Sequence, residues 1–339
     1  MPAVRTIAVI NQKGGVGKTT TVANLGAALA AARRNVCAID LDPQAHLTLS
    51  VGLEPGKHKP GTYEVLTAET SLQDAVYKVA PRYWLVPSVI DLAAAEVELV
   101  GAVGREQILC DRITEFAAPT PMDFMLIDCP PSLGLLTLNA LAAADDVLIP
   151  LQPHFLALQG LGKLLETVSL VQRRINPKLR VCGVVLCMYE TSTKLAGEVV
   201  ADLRSFFESA RSSNAPWANA KIFESTIRRN VKLAESPSYG KTIFDYEPKS
   251  NGAIDYKDLA REFLKLYAPQ AVEPVAVETP AEAEPSQGDV AQDTAAMAAE
   301  AADNAVAPAD QAAEVLPPPP GPVNPPASSA GAPLPAANE

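Results

Sequence analysis

The chain has little of what marks a secreted, zinc-built or membrane-spanning protein. Its five cysteines (Cys37, Cys110, Cys129, Cys182 and Cys187) form no CxxC pair and are scattered through apolar segments. An odd, dispersed set argues against a disulfide framework and for packed thiols in a reducing cytoplasm. The three histidines, His46, His58 and His154, show no metal-site spacing, which argues against a zinc enzyme. No uninterrupted apolar run approaches the roughly 18–20 residues needed to cross a bilayer. The first residues lead straight into Thr6-Ile7-Ala8-Val9-Ile10, without a basic n-region, an h-region or a cleavage site, so no secretory leader is expected. Aromatic residues make up only 5% of the 339 positions, so a core drawn from the 48% hydrophobic content is mostly Ala, Val, Leu and Ile.

Lys, Arg and aromatic residues are all missing from 269–339, where 11 of the 39 acids fall. The formal net charge of −11 therefore belongs to this tail, and 1–268 carries 28 acids against 28 bases. An acidic total says nothing against the body touching DNA, because local charge decides that. Pro and Ala dominate the tail, which includes Pro317-Pro318-Pro319-Pro320. Such a composition buries too little apolar surface to offset the entropy of ordering. The expected organisation is a folded domain over 1–268 and a disordered, Ala/Pro-rich acidic tail over 269–339.

Within the body, short β-rich runs alternate with helix-length segments. Strands are expected at 6–10, 36–41, 83–86, 124–128, 147–151, 180–187 and 221–223, several of them nearly continuous apolar runs. Such runs suit strands buried on both faces of a parallel sheet. Helices are expected at 18–32, 133–143, 156–175, 194–210 and 255–267. The alternation predicts an α/β, doubly wound, mostly parallel sheet flanked by helices.

The most informative stretch is Asn11-Gln12-Lys13-Gly14-Gly15-Val16-Gly17-Lys18-Thr19-Thr20. It follows a strand and opens a helix, the setting in which backbone N–H groups and the positive helix end converge on a phosphate. The glycines let the backbone curl round the anion. Lys18 is placed to reach the β- and γ-phosphates of ATP, and the Thr19 hydroxyl to bind Mg²⁺. The usual first glycine of such a loop is Gln12 here, and Lys13 is an additional base.

Two acidic motifs follow. The second strand ends in Asp40-Leu41-Asp42-Pro43-Gln44, and carboxylates at that edge of a parallel sheet face the ligand crevice. Asp42 is the better candidate to orient the attacking water, and Asp40 is a candidate metal ligand. The same turn also suits a helix start with Asp42 or Gln44 near the cap. Phe124-Met125-Leu126-Ile127-Asp128 is an apolar strand that delivers one carboxylate, Asp128, to a Mg²⁺ shell. Cys129-Pro130-Pro131-Ser132-Leu133-Gly134 follows it, with a helix expected from about Ser132. This segment is suited to sensing the γ-phosphate. Cys129 reads as a packed thiol, since no basic partner is evident.

The variant loop Lys13-Gly14-Gly15-Val16-Gly17-Lys18-Thr19-Thr20 resembles the deviant Walker A ATPases, a P-loop NTPase family. Leu138-Asn139-Ala140-Leu141, Ile149-Pro150-Leu151-Gln152 and the run from Arg229-Asn230 to Gly240-Lys241 resemble its ParA/Soj branch. The resemblance implies a homodimer closed by ATP, with Lys13 reaching the nucleotide of the second copy and Asp42 needed for hydrolysis. It also implies Asn230 near the adenine, non-specific DNA binding, a ParB-type centromere-binding partner and a cytoplasmic, nucleoid-associated location. The division-site branch is a poorer match, because this tail holds no membrane-targeting amphipathic helix. Two departures stand out. Arg228 replaces the family's proline, and Ser192 stands where many relatives carry a DNA-binding arginine. The candidate DNA contacts are Lys194, Arg228, Arg229, Lys232, Lys241 and Lys249, a basic strip suited to sequence-blind phosphate contact. An ATP-dependent positioning scaffold for a protein cargo is the alternative function. An ATP-dependent synthetase sharing this loop is a third.

Overall fold

The computed structural model describes residues 4–68, 70–154, 157–190 and 194–268. The tail expected to be disordered, 269–339, and Ser192 lie outside them. Nine strands form among the described residues: β1 (Arg5–Val9), β2 (Val36–Asp40), β3 (Tyr77–Ala80), β4 (Tyr83–Val86), β5 (Phe124–Asp128), β6 (Asp146–Leu151), β7 (Arg180–Tyr189), β8 (Lys221–Ile222) and β9 (Ile227–Arg228). The helices are α1 (Lys18–Ala31), α2 (His46–Ser50), α3 (Thr62–Thr67), α4 (Leu72–Ala75), α5 (Leu92–Glu98), α6 (Ile108–Ala117), α7 (Leu135–Ala143), α8 (Ala157–Arg174), α9 (Lys194–Ala210), α10 (Val231–Glu235), α11 (Ile243–Tyr246) and α12 (Asn251–Leu266).

Side-chain alternation along the strands builds two cores. Ala8, Cys37, Ile39, Met125 and Ile127 point to the face covered by α6, α7, α8 and α9. Ile7, Val9, Val36, Ala38, Phe124 and Leu126 point to the face covered by α1 and α12. The period of two divides one run between two layers, so β5 is buried along its whole length. The sheet runs β3-β4-β2-β5-β1-β6-β7-β8, with β9 paired to β7. All these pairings are parallel except β3 with β4. Among the described residues no helix is long and apolar enough to cross a membrane.

Some expected boundaries shift, for local reasons. The helix expected from Ser132 starts at Leu135, because Gly134 is extended (φ −78°, ψ −167°) and ends the preceding loop. The last helix starts four residues before 255, at Asn251, where Ser250 caps it by accepting from the Ala253 N–H. The short strands β3 and β9 and the helices α3 to α6, α10 and α11 form where the sequence predicts no element, and α2 follows the turn at Asp42 that suits a helix start.

Candidate nucleotide site

β1 sits between β5 and β6, and β2 lies beyond β5, so three strand ends converge on one crevice. In register, Val9 faces Asp128 and Asp40 faces Asp128. The loop 11–17 rises from β1 and delivers Lys18 to the first turn of α1. Gly15 (φ 71°) and Gly17 (φ 97°) take left-handed conformations that a side chain disfavours. Asn11 anchors the loop: its side chain donates to the Pro150 carbonyl at 2.8 Å and accepts the Lys13 N–H at 3.0 Å. Sequence reasoning gave Asn11 no role.

Lys18 is buried, and its Nζ reaches back to the Lys13 carbonyl at 3.4 Å. Lys13 lies exposed on the loop's outer edge, with its Nζ against His154 Nε2. Partial burial, and then the Lys13 charge, lower the His154 pKa. Val16 is buried, Thr20 half-buried, and Gly14 open to solvent.

The fold brings together Thr19 and Asp128, the two candidate Mg²⁺ ligands from α1 and β5. The Thr19 hydroxyl donates to Asp128 Oδ2 at 2.7 Å, while the buried Asp128 Oδ1 has no hydrogen-bond partner. Asp40 is more committed than expected of a metal ligand. Its Oδ2 accepts from the Thr48 N–H (2.8 Å) and hydroxyl (2.7 Å), and its Oδ1 from the Asp42 N–H (3.2 Å). Thr48 was missed, because only folding brings α2 to the end of β2. Burial raises both carboxyl pKa values; Thr48 opposes this at Asp40, and the Asp40 charge adds to it at Asp128. Two buried carboxylates side by side with one unpaired oxygen fit a divalent cation. Mg²⁺ commonly takes one or two protein ligands and completes its shell with phosphate oxygens and water.

Asp42 lies at the crevice, and its Oδ1 accepts the Gln44 N–H at 3.0 Å. The turn is thus locally capped while its carboxylate stays beside the site. Ser88 braces it from the end of β4, donating its hydroxyl to the Asp42 carbonyl at 2.8 Å. Cys129 is buried, and burial followed by the Asp128 charge raises its thiol pKa well above the usual value, so it is a packed thiol. No disulfide forms among the five cysteines.

Asn230 caps α10, accepting the Lys232 N–H at 2.8 Å. The basic strip around it is less free than its composition suggests. Arg228 pairs with Asp255, Arg229 with Glu190 at 2.7 Å, and Lys232 with Glu235 at 2.8 Å. Only the last of these acids lies within the strip. Among the described residues Lys194, Lys241 and Lys249 enter no ion pair, and all three are exposed.

Comparison with known proteins agrees with this geometry. An AAA domain model matches residues 4–181. The chain is 42% identical over 268 residues to the chromosome partitioning protein ParA of Myxococcus xanthus (strain DK1622), covering 79% of this chain and 90% of that protein. It is 42% identical over 257 residues to the sporulation initiation inhibitor protein Soj of Bacillus subtilis (strain 168), covering 76% and 96%. Among solved structures, cobyrinic acid a,c-diamide synthase from Mycobacterium smegmatis with bound ADP and magnesium aligns with a TM-score of 0.65 and 37% identity, over 78% of this chain and 95% of that one. The phosphate loop, the converging carboxylates and these relatives lead to one assignment: the chain belongs to the ParA/Soj family of chromosome-partitioning ATPases.

Proposed function

We propose that the chain hydrolyses ATP with Mg²⁺ to drive segregation of a chromosome or plasmid. The observation that carries the site reading is the Thr19–Asp128 hydrogen bond with its unpaired second oxygen. Gly14, Gly15, Val16 and Gly17 supply the curled backbone for the phosphates, Lys18 supplies charge, and Thr20 continues the helix start. Thr19 and Asp128 hold Mg²⁺, with Asp40 behind them. When bound, Mg²⁺ neutralises phosphate charge. Asp42 orients the attacking water and draws its proton. Lys13, exposed at the loop edge, acts on the nucleotide of a second copy when two subunits close face to face. Positive charge then completes the site only in the dimer. Asn230 and its loop lie toward the base.

The partition assignment draws on the relatives named for it, at 42% identity. In this reading the ATP-bound dimer holds DNA without sequence preference on the nucleoid. A ParB-type centromere-binding protein then stimulates hydrolysis and release. The scaffold alternative has one observation in its favour: three of the candidate DNA bases are already paired with acids. The test is phosphate release by the full chain with and without Mg²⁺, alongside DNA retention in ATP and in ADP. Mg²⁺-dependent release with DNA held only in ATP supports partition. Hydrolysis with no DNA retention overturns partition in favour of a protein-cargo scaffold. Phosphate recovered on a small-molecule acceptor, instead of free, moves the chain to synthetase chemistry.

A further inference from the structure

We propose that Glu96 is a positioning residue for hydrolysis: from α5 it caps α7 and thereby sets the segment that follows Asp128. The inference rests on the ATPase reading of the same site.

The first turn of any helix leaves N–H groups without intrahelical partners. α7 has no means of its own to satisfy them, since Gly134 at its cap has no side chain and its first turn holds no acid. Glu96 supplies what is missing from another element. Its Oε1 accepts from the Leu136 N–H at 3.4 Å. The approach depends on glycine: a Cβ at Gly134 would lie 2.1 Å from the same oxygen. A carboxylate at this end of a helix is also favoured by the helix dipole.

The same turn reaches back toward the nucleotide. The Thr137 hydroxyl donates to the Ser132 carbonyl at 2.6 Å. Only Cys129, Pro130 and Pro131 separate Ser132 from Asp128. Two prolines with fixed φ transmit a shift of Ser132 instead of absorbing it. At its other end, α5 follows Ser88, which holds the Asp42 carbonyl. Ser88 thus braces the Asp42 loop just ahead of α5, and Glu96 on α5 is the link to the Asp128 side. Glu96 makes no hydrogen bond to Lys18, Thr19, Asp40, Asp42 or Asp128, so its effect passes through α7.

The test uses full-length Glu96→Ala, Glu96→Gln, Gly134→Ala and the Glu96→Ala/Gly134→Ala double variant. Turnover at saturating Mg²⁺-ATP is read beside the affinity for a non-hydrolysable ATP analogue. Glu96→Ala and Gly134→Ala are each expected to lower kcat about tenfold, with affinity held within about twofold. Glu96→Gln keeps an oxygen acceptor and is expected within about threefold of wild type. Both alanine changes remove the same hydrogen bond, so the double variant falls no lower than the worse single one. A wild-type kcat in Glu96→Ala or in Gly134→Ala overturns the inference. Equal losses in the Ala and Gln variants, or losses that multiply, overturn it as well. Should Glu96→Ala fail to fold, Glu96→Gln and Gly134→Ala decide alone. Absence of turnover in the wild type overturns the ATPase reading and takes this inference with it.

Discussion

Thr19, on the first turn of α1, donates its hydroxyl to Asp128, at the end of β5, across 2.7 Å. The two residues are 109 positions apart, and the fold joins them because β1 and β5 are register partners. The bond ties the phosphate loop to the acidic strand end and leaves Asp128 Oδ1 unpaired inside the protein. An unpaired buried oxygen costs free energy on the order of 1–3 kcal/mol. A cation held there recovers it.

Lys18→Ala is expected to weaken ATP binding severely. Lys18 is 7% exposed, so its charge is fixed in the loop and not averaged over solvent. A hydrogen bond to a charged group is worth roughly 1.5–3 kcal/mol, which corresponds to about a tenfold to hundredfold loss of affinity. Titration calorimetry with ATP and Mg²⁺ reads this directly. Wild-type affinity in the variant would remove the phosphate-loop assignment.

Asp42→Ala is expected to separate binding from turnover. The phosphate cradle is built from Asn11, the glycines and Lys18, none of which hydrogen-bonds the Asp42 side chain. ATP affinity and ATP-driven dimerisation should persist while phosphate release falls by at least about a hundredfold, the scale of lost general-base assistance. Normal hydrolysis, or failure to dimerise in ATP, would count against Asp42 as the water-orienting group.

The carboxylate pair sets a pH dependence whose sign is fixed. Burial raises Asp40 from 3.8 to about 7 and Asp128 well above the usual value. A carboxyl whose folded pKa exceeds its unfolded one favours folding only while protonated. Without nucleotide and metal, the Asp40 contribution to stability is therefore lost as pH rises from about 4 through about 7, and the Asp128 contribution is likewise lost with rising pH. Mg²⁺, held beside the carboxylates once ATP is bound, brings positive charge that favours their ionised forms and should flatten the profile. Asp128→Asn removes the like charge and should flatten it without ligand. Calorimetric Tm from about pH 5 to about pH 8 is the measurement. A steeper fall in Asp128→Asn than in wild type would contradict this account.

The phosphate loop was legible because its chemistry is local: a strand, a glycine-rich turn and Lys18-Thr19 are contiguous. Asp128 was legible for the same reason, as one acid closing an apolar run. What the sequence hid is tertiary. Thr48 occupies Asp40 only after α2 folds back over β2. Arg228 and Arg229 look like free bases until residues 27 and 39 positions away bring Asp255 and Glu190 to them. β3 escaped notice because Tyr77-Lys78-Val79-Ala80 is a short, partly exposed antiparallel edge. The turn joining it to β4 relies on Arg82 at φ 61°, where no glycine signals a turn.

The basic strip gives the most exposed prediction, and the ion pairs sharpen it. Exposed ion pairs are weak because water screens them and both side chains lose freedom in forming them, so Arg229 and Lys232 can exchange their acids for DNA phosphates at small cost. Arg228 differs. Its guanidinium and its backbone N–H both bind Asp255, which is only 6% exposed on its side chain. Arg228 therefore latches β9 to α12, and Arg228→Ala should lower Tm while leaving DNA retention unchanged. Lys241 and Lys249, exposed and without ion pairs, are the cleaner probes. Changing both to Glu should weaken ATP-dependent DNA binding at every sequence tested, because phosphate contacts carry no base information. The log–log salt slope should become shallower by roughly 0.9 for each DNA phosphate no longer neutralised. A dimer presents the strip twice, so weak single interactions add through avidity. ATP-driven dimerisation should survive, since neither lysine belongs to the phosphate loop. If the double variant binds as wild type does, the DNA surface lies elsewhere on the dimer. If the wild type holds no DNA in ATP at low salt, the scaffold reading replaces partition.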